Sequence, residues 1–166
     1  EMGIEVTVYD DVHEFLTNED FNVVSICSPP ELHCEHVIMC AQAGKHMAIE
    51  KPAALTSKEL TDMCAAVWQT EVKTVVGFVL RWNDLVLNIK HDYLAKPGNV
   101  FYIETDYWNG ISQINPYSPR AVGTRSRSVS TFIGGGCHAV DMARFLLNAD
   151  ITDVQALTSA KTAGSQ

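Results

Sequence analysis

The first half of the chain alternates apolar, strand-like runs with amphipathic, helix-like segments, and this alternation constrains the fold more than any other feature. In chain order, the predicted elements are strands at 4–9, 23–27, 46–49 and 73–78 and helices at 11–16, 31–43 and 56–70. Such short-linked alternation is typical of a parallel sheet with right-handed crossovers, covered by helices on both faces. We therefore predict an α/β fold.

Several helix ends carry local signals. Asp11 suits the start of the first helix, because its carboxylate accepts hydrogen bonds from free backbone N–H groups. Thr56 and Glu59 have the spacing of a capping box at the start of the third predicted helix. Gly44 follows the second helix and suits a left-handed helix end. These signals predict the helix boundaries independently of the apolar pattern.

The pattern changes near residue 97, where Pro97-Gly98 forms a predicted turn. The elements beyond it are an alternating segment typical of an exposed or antiparallel strand at 99–108, a loop at 110–133, a helix at 137–147 and a strand at 151–159. So long a loop in a compact domain is usually functional or disordered. We predict two domains, one at 1–96 and a second at 97–166.

Composition and charge narrow the class of protein. The 166 residues are 46% hydrophobic and 19% charged, as in a soluble globular protein. A net charge of −8 leaves no broad basic surface, so we predict no binding to nucleic acid. No apolar run approaches the roughly 18 residues of a membrane span, and the first residues lack the pattern of a signal peptide. We predict a cytoplasmic protein that acts on small molecules and does not contact membranes.

One cluster has metal-ligand chemistry. His33, His36 and Cys40 would share one helix face, with Cys34 beside them. Structural zinc ligands usually come as two short-spaced pairs from turns, so we predict a half-buried helix near a cleft and no metal. A metal-binding module stays as an alternative hypothesis. The five cysteines include no C-x-x-C pair, which favours reduced thiols over disulfides.

A charged corner follows the strand at 46–49. Glu50, Lys51 and Pro52 stand where this strand ends, and open α/β sheets bind ligands at the carboxyl ends of their strands. A cis bond before Pro52 would make a tight bend there. A partly desolvated Lys51 would have a lowered pKa, and its ammonium would stabilise a developing alkoxide. The alternative interpretation is a solvated loop lysine.

His138 stands at the start of the predicted helix at 137–147, directly after Gly134-Gly135-Gly136-Cys137. An imidazole has a reference pKa of about 6.5, which suits removal of a hydroxyl proton during oxidation of an alcohol. Asp141 lies about one turn further on, and it either orients the imidazole or compensates charge near the helix start. In the alternative interpretation His138 only caps or packs, and the glycines only give a flexible lead into the helix.

Four motifs occur in order along the chain. They are Ser28-Pro29-Pro30-x-x-His33, Glu50-Lys51-Pro52, Gly77-Phe78-x-x-Arg81-Trp82-Asn83 and Gly135-Gly136-Cys137-His138-x-x-Asp141. Each motif is weak alone, but the ordered set resembles the glucose-fructose oxidoreductase, inositol dehydrogenase and MocA family of nicotinamide-dependent oxidoreductases. The resemblance covers nearly the whole chain.

This resemblance implies a partial Rossmann-type sheet at 1–96 that binds NAD or NADP. At 97–166 it implies the start of an α+β substrate and oligomerisation domain with an open, mainly antiparallel sheet. The implied reaction is hydride transfer between the nicotinamide and a sugar, cyclic polyol or related alcohol, in a homo-oligomer that is a dimer or a tetramer. The implied catalytic residues are Lys51, His138 and Asp141. The implied cofactor-binding residues are Ser28, Pro29, Pro30, His33, Glu50, Lys51, Pro52 and Arg81.

Further arginines and aromatic residues have two interpretations each. Arg81 and the loop arginines suit either an anionic ligand or exposure to solvent; the loop residues are Arg120, Arg125 and Arg127. Three aromatic residues suit either a sugar site or a packed interface; they are Trp82, Tyr107 and Trp108. The sequence alone does not choose between these interpretations.

Two features depart from the family pattern. The chain has no G-x-G-x-x-G, so we expect an internal fragment that lacks the first βαβ unit with its phosphate-binding turn. Many family members have an aspartate four residues before the histidine, where this chain has Gly134. Either Asp141 or another residue compensates, or the acid–base step differs, or catalysis is lost. Loss of catalysis would leave a non-catalytic nicotinamide-binding sensor or a structural homologue.

Overall fold

A computed structural model describes residues 6–94, 98, 100–108 and 132–157 of the chain. In chain order the helices and strands are α1 (Val12–Asn18), β1 (Val23–Ile26), α2 (His33–Gln42), β2 (His46–Ile49), α3 (Ser57–Thr70), β3 (Thr74–Val76), α4 (Asp84–Asn88) and α5 (Cys137–Leu147). Short 3₁₀ turns at Pro30–Leu32 and Val79–Trp82 follow β1 and β3. Two π-helical turns, Ile89–Leu94 and Phe132–Gly136, follow α4 and precede α5. No helix in these ranges is long and apolar enough to cross a bilayer.

The three strands form one parallel sheet in the order β1-β2-β3. Ile26 pairs with Ile49, and Ile49 pairs with Val76 on its other side. The sheet packs on α2 and α3 through one face. The buried apolar core consists of Ile26, Val37, Cys40, Ala41, Met47, Ile49, Met63 and Val72. This core fixes the carboxyl ends of β1, β2 and β3 at one edge of the domain, as predicted.

The opposite face of the sheet is open in the part of the chain that the structure describes. Val23 and Val75 lie on that face and are 64% and 51% exposed. Successive right-handed crossovers that step in one direction across a sheet place their helices on the same face. Helices α2 and α3 accordingly pack against each other. The prediction of helices on both faces is therefore wrong for these residues.

The predicted helix signals are confirmed. The Asp11 side chain accepts a hydrogen bond from the Glu14 N–H at 2.9 Å, and Thr56 and Glu59 form both halves of a capping box. Gly44 ends α2 with φ of +70°, a conformation in which a side chain would be strained. The predicted strand at 46–49 and the predicted helix at 137–147 coincide with β2 and α5.

Three further strand predictions are wrong within the described ranges. Residues 6–9, 100–108 and 151–157 are not part of the sheet. Val8, Phe101 and Leu157 are 83%, 99% and 102% exposed. Alternation favours a strand only where a neighbouring strand completes the hydrogen-bond ladder, and no described segment pairs with these three. The remainder of these predictions, the loop up to residue 131 and the three loop arginines lie outside the described residues.

Candidate active site

Lys51 lies directly beyond the carboxyl end of β2, the central strand. The Lys51-Pro52 peptide bond is cis, the isomer that the sequence left open before this proline. The Lys51 backbone N–H donates to Glu50 Oε2 at 3.0 Å, and its Nζ donates to the carbonyl oxygen of Gly134 at 2.9 Å. The ammonium is therefore directed at the turn that leads into α5. The interpretation of Lys51 as a solvated loop residue does not fit this contact.

His33 joins the ends of two strands. Its ring is completely buried, with Nδ1 2.9 Å from the carbonyl oxygen of Pro52 and Nε2 2.9 Å from the carbonyl oxygen of Ser28. Ser28 follows β1 and Pro52 follows β2, so the imidazole bridges the two corners of the predicted site. Because both ring nitrogens are engaged and the ring has no exposed surface, His33 holds Ser28 and Pro52 in position and presents no ring atom to solvent.

The neighbours of His33 are also engaged by protein groups. His36 Nδ1 lies 2.9 Å from Ser28 Oγ, and the Cys34 thiol points to the carbonyl oxygen of Glu59 at 3.7 Å. Across the described ranges, no three His, Cys, Asp or Glu side chains are arranged to hold a metal ion. The geometry gives no support to the metal-binding alternative.

The β1 corner is open to solvent at the same edge of the sheet as Lys51. Pro29 is exposed, and Ser28 and Pro30 are half-buried. Glu50 is exposed beside them after β2. These residues surround the open carboxyl edge, where a ligand of an α/β sheet binds.

His138 lies in the first turn of α5 and is only 7% exposed. Its imidazole stacks on the Tyr107 ring, with centroids 5.1 Å apart and planes inclined by 26°. The Phe78 ring meets it edge-on, with centroids 6.0 Å apart. The two aromatic rings flank the imidazole and restrict its orientation.

The environment of His138 favours its neutral form. Burial lowers the pKa of His138, and the positive charge of Lys51 lowers it further. The carboxylates of Asp141 and Glu50 oppose this shift of the pKa without reversing it. A neutral imidazole is the form that accepts a proton. The structure thus places a proton acceptor within the electrostatic reach of an ammonium group.

Asp141 is paired with Arg81, whose side chain comes from the turn after β3. Arg81 Nε donates to Asp141 Oδ2 at 2.9 Å, and Nη2 donates to Oδ1 at 2.5 Å. The hydrogen bond with Asp141 is the main cause that raises the pKa of Arg81. Both carboxylate oxygens of Asp141 are thus engaged by Arg81, and the effect of Asp141 on His138 is electrostatic.

Two of the glycines before α5 allow close approach of aromatic rings. A Cβ atom on Gly135 would lie 3.1 Å and 3.2 Å from the Cε1 and Cδ1 atoms of Tyr107. A Cβ atom on Gly136 would lie 3.1 Å from Cδ2 of Phe132. The glycines therefore have a packing role beside His138, which the interpretation as a flexible lead does not include.

The sequence predicts Lys51 and His138 as a pair, but it does not predict that Phe78 and Tyr107 contact His138. Tyr107 is predicted only as a candidate for a sugar site or an interface, and Phe78 only as part of a motif. Their contacts with His138 link segments 31 and 60 residues apart, which local patterns do not reveal. The other two predicted aromatic candidates, Trp82 and Trp108, are 71% and 91% exposed.

The parallel α/β sheet, with Lys51 at the carboxyl end of its central strand, is of the class that binds ligands at this edge, dinucleotides among them. A family model described as an oxidoreductase family with an NAD-binding Rossmann fold matches residues 1–78. This match confirms the predicted resemblance for residues 1–78, which contain the motifs at Ser28–His33 and Glu50–Pro52.

Relatives of known activity match over most of the chain. The scyllo-inositol 2-dehydrogenase (NAD(+)) of Bacillus subtilis is 30% identical over 158 residues, which are 93% of this chain and 43% of that protein. The myo-inositol 2-dehydrogenase of Thermotoga maritima is 27% identical over 157 residues, 92% of this chain and 44% of its own length. The chain therefore spans less than half the length of these curated relatives.

A solved structure shows the same fold. The scyllo-inositol dehydrogenase from Lactobacillus casei, with bound cofactor NAD(H) and scyllo-inositol, superposes with a TM-score of 0.71. The match covers 84% of this chain and 41% of that one, at 22% sequence identity. At this level of identity the likeness establishes the Rossmann-type fold, so the predicted α/β class with a partial Rossmann-type parallel sheet is confirmed.

Proposed function

We propose that the full-length protein is an oxidoreductase that transfers a hydride between NAD or NADP and a sugar, a cyclic polyol or a related alcohol. The observation that carries the proposal is that Lys51 donates to the Gly134 carbonyl at 2.9 Å, in the turn that leads to the buried His138, and that its charge helps to lower the pKa of His138. The inositol dehydrogenases among the relatives support a polyol as the substrate class.

The roles of the two side chains follow from their chemistry. In the oxidation direction, neutral His138 accepts the hydroxyl proton of the alcohol at a ring nitrogen. Lys51 has three ammonium hydrogens; one is bonded to Gly134, and the others are available to the alcohol oxygen as negative charge develops there. A nicotinamide bound at this edge would supply the acceptor for the hydride of the alcohol carbon.

The described residues fit the nicotinamide end of such a cofactor. The carboxyl ends of β1 and β2 are bridged by a buried His33, which leaves exposed Pro29 and Glu50 at the open edge. We assign Ser28, Pro29, Pro30 and Glu50 to this surface, with buried His33 and Pro52 supporting it. The sequence contains no G-x-G-x-x-G, so none of its residues is assigned to the pyrophosphate.

The decisive test replaces Lys51 and His138 by alanine in the full-length protein. Loss of a general acid–base group or of an oxyanion partner costs about 10²- to 10⁴-fold in turnover, and we expect each variant to fall in that range. Exposed Lys58 and His13 give matched controls, and Lys58→Ala and His13→Ala should keep wild-type turnover. Near-normal rates in both Lys51→Ala and His138→Ala would contradict the proposal.

A second candidate function is a nicotinamide-binding sensor without catalysis. Gly134 favours it, because Lys51 meets a backbone carbonyl there and no carboxylate side chain. Such a protein would bind NAD or NADP in isothermal titration but reduce neither with any member of a sugar and polyol panel. Substrate-dependent reduction with one member of the panel would exclude the sensor.

We also propose that residues 1–96 and 97–166 belong to two domains of a cytoplasmic homo-oligomer, either a dimer or a tetramer. Phe101 and Trp108 are 99% and 91% exposed, and either the remainder of the full-length protein or a second subunit would cover them. Five free cysteines suit a reducing compartment. Light scattering of the full-length protein, limited proteolysis near residue 96 and cell fractionation test these three statements.

A further inference from the structure

Arg81 and Asp141 connect the turn after β3 to the helix that carries His138. They are 60 residues apart in sequence, and their two hydrogen bonds measure 2.9 Å and 2.5 Å. Asp141 lies about one turn beyond His138 on α5. A two-pronged bond between guanidinium and carboxylate fixes the relative orientation of its partners as well as their distance. The pair therefore fixes how α5 lies against the end of the sheet.

Arg81 reaches His138 by a second route. Its guanidinium carbon lies 5.6 Å from the centroid of the Phe78 ring and 5.2 Å from that of Phe145. The Phe78 ring in turn meets the imidazole of His138 edge-on. One arginine thus contacts both the helix that bears His138 and the aromatic ring that flanks it.

We propose that the Arg81–Asp141 pair is a positioning device that holds His138 at the site marked by Lys51, and that neither residue touches substrate or cofactor. The inference rests on the proposed function and refines it. Sequence reasoning assigns Arg81 to the cofactor and Asp141 to catalysis. In the structure each of these charges is directed at the other, and the guanidinium lies beside two aromatic rings.

The pair is sensitive to the loss of either partner. Asp141 is 7% exposed, and a buried carboxylate without its cation is strongly unfavourable. Loss of Arg81 would therefore drive α5 toward solvent or toward another cation. A displacement of about 1 Å in a catalytic group costs about 10²-fold in rate. His138 is close enough in sequence to Asp141 to move with it.

The test measures steady-state kinetics and cofactor binding of the full-length Arg81→Gln, Asp141→Asn and double variants. We expect kcat to fall about 10- to 100-fold in each single variant, and no further in the double variant, because the two residues act as a unit. The Kd for NAD or NADP should stay within about threefold of the wild-type value, as for residues that do not bind it. Arg144→Gln is the matched control, since Arg144 lies on the same helix, is 51% exposed and pairs with exposed Asp150; its kcat should be unchanged.

Variants that restore the charge pair distinguish a positioning role from a general loss of folding. The exchange variant Arg81→Asp/Asp141→Arg restores opposite charges, and we expect it to recover part of the lost kcat. Arg81→Lys keeps the charge but loses the forked geometry, so it should fall between the wild type and Arg81→Gln. Circular dichroism and thermal unfolding identify variants that fail to fold; if Arg81→Gln is among them, Arg81→Lys and Asp141→Asn carry the comparison.

The outcomes are distinguishable. An inactive wild-type protein overturns the proposed function and this inference together. With an active wild type, the inference alone is overturned by unchanged kcat in both single variants, or by losses that multiply in the double variant. It is also overturned if Arg81→Gln weakens cofactor binding tenfold or more at unchanged kcat, a result that would make Arg81 a cofactor ligand.

Discussion

The sheet and helix α5 are held by different kinds of contact. Ile26, Met47 and Ile49 of the sheet are buried against α2 and α3 in an apolar core. Helix α5 and the turn before it receive polar contacts from four distant segments. These are Lys51 to the Gly134 carbonyl, Arg81 to Asp141, Lys90 to the Phe145 carbonyl and Thr105 to the Ala139 carbonyl.

The difference matters because apolar burial is non-directional, whereas hydrogen bonds depend on angle and distance. The core determines where the carboxyl edge of the sheet lies, and thus where Lys51 stands. The polar contacts determine how His138 is aligned with it. Changes in the core should therefore act mainly on folding, whereas changes around α5 should cost less stability, and those that displace His138 should lower turnover.

The largest effect on stability should come from the core. Met63 is 3% exposed at the contact of α3 with the sheet, and Met63→Ala should lower the free energy of unfolding by about 2–5 kcal/mol. Urea unfolding followed by circular dichroism measures this change. Lys58→Ala on the exposed side of the same helix is the control and should cost less than about 0.5 kcal/mol. If Met63→Ala lowers the free energy of unfolding by less than about 1 kcal/mol, the core does not dominate stability in the way that we propose.

Gly135→Ala should have the next largest effect, which we expect to be a loss of activity. The added Cβ would lie 3.1 Å from the Tyr107 ring that stacks on His138. Overpacking of this kind costs about 1–3 kcal/mol, and displacement of the imidazole should lower kcat about tenfold or more. The Tyr107→Leu background is the control, because removal of the ring edge should make the alanine less harmful there. An equal loss of kcat in both backgrounds would contradict the explanation.

Thr105→Val tests a weaker polar contact to α5. The valine loses the hydroxyl that donates to the Ala139 carbonyl at 2.9 Å, and we expect a loss of about 1 kcal/mol in thermal unfolding. Thr61→Val is the matched control, since the exposed Thr61 hydroxyl bonds only to the Ser57 carbonyl of its own helix. If both variants lose the same stability, the contact with α5 has no special value.

The smallest effect is a dependence of stability on pH. Burial, and then the charge of Lys51, lower the pKa of His138 in the folded protein, so below about pH 6.5 the unfolded chain binds a proton more readily than the folded one. The contribution of this group to stability is therefore present above about pH 6.5 and is lost as the pH falls through the lowered value. Urea unfolding across this range should show the loss. The His138→Gln variant should lack the part of this pH-dependent loss of stability that His138 causes. The His13→Gln variant should keep it.

Part of the fold was predictable because its signals are local. The strand at 46–49 and the capping box of Thr56 and Glu59 depend on residues close in sequence, and both are confirmed. The strands predicted at 6–9, 100–108 and 151–157 depend on a distant partner strand, which alternation does not reveal. The face on which α3 lies depends on the order of strands across the sheet, which is also a non-local property.

The candidate site likewise contains residues that local sequence signals predict and contacts that depend on residues distant in sequence. Lys51 and His138 were predictable from a strand end and a helix start. The partner of Asp141 was not, since Arg81 lies 60 residues earlier in the chain. For the same reason the buried ring of His33, which joins Ser28 to Pro52, was expected at the cofactor and lies beneath the surface.

The contact between Lys51 and Gly134 has a consequence for substitutions at position 134. The acceptor is a main-chain carbonyl, so it is present whatever side chain residue 134 carries, and it has no proton to lose. An acidic side chain introduced there would add a second charge beside Lys51 without removing the first partner of the lysine. A substitution at position 134 therefore changes whether a carboxylate lies near Lys51, but it does not change the hydrogen bond that positions the ammonium.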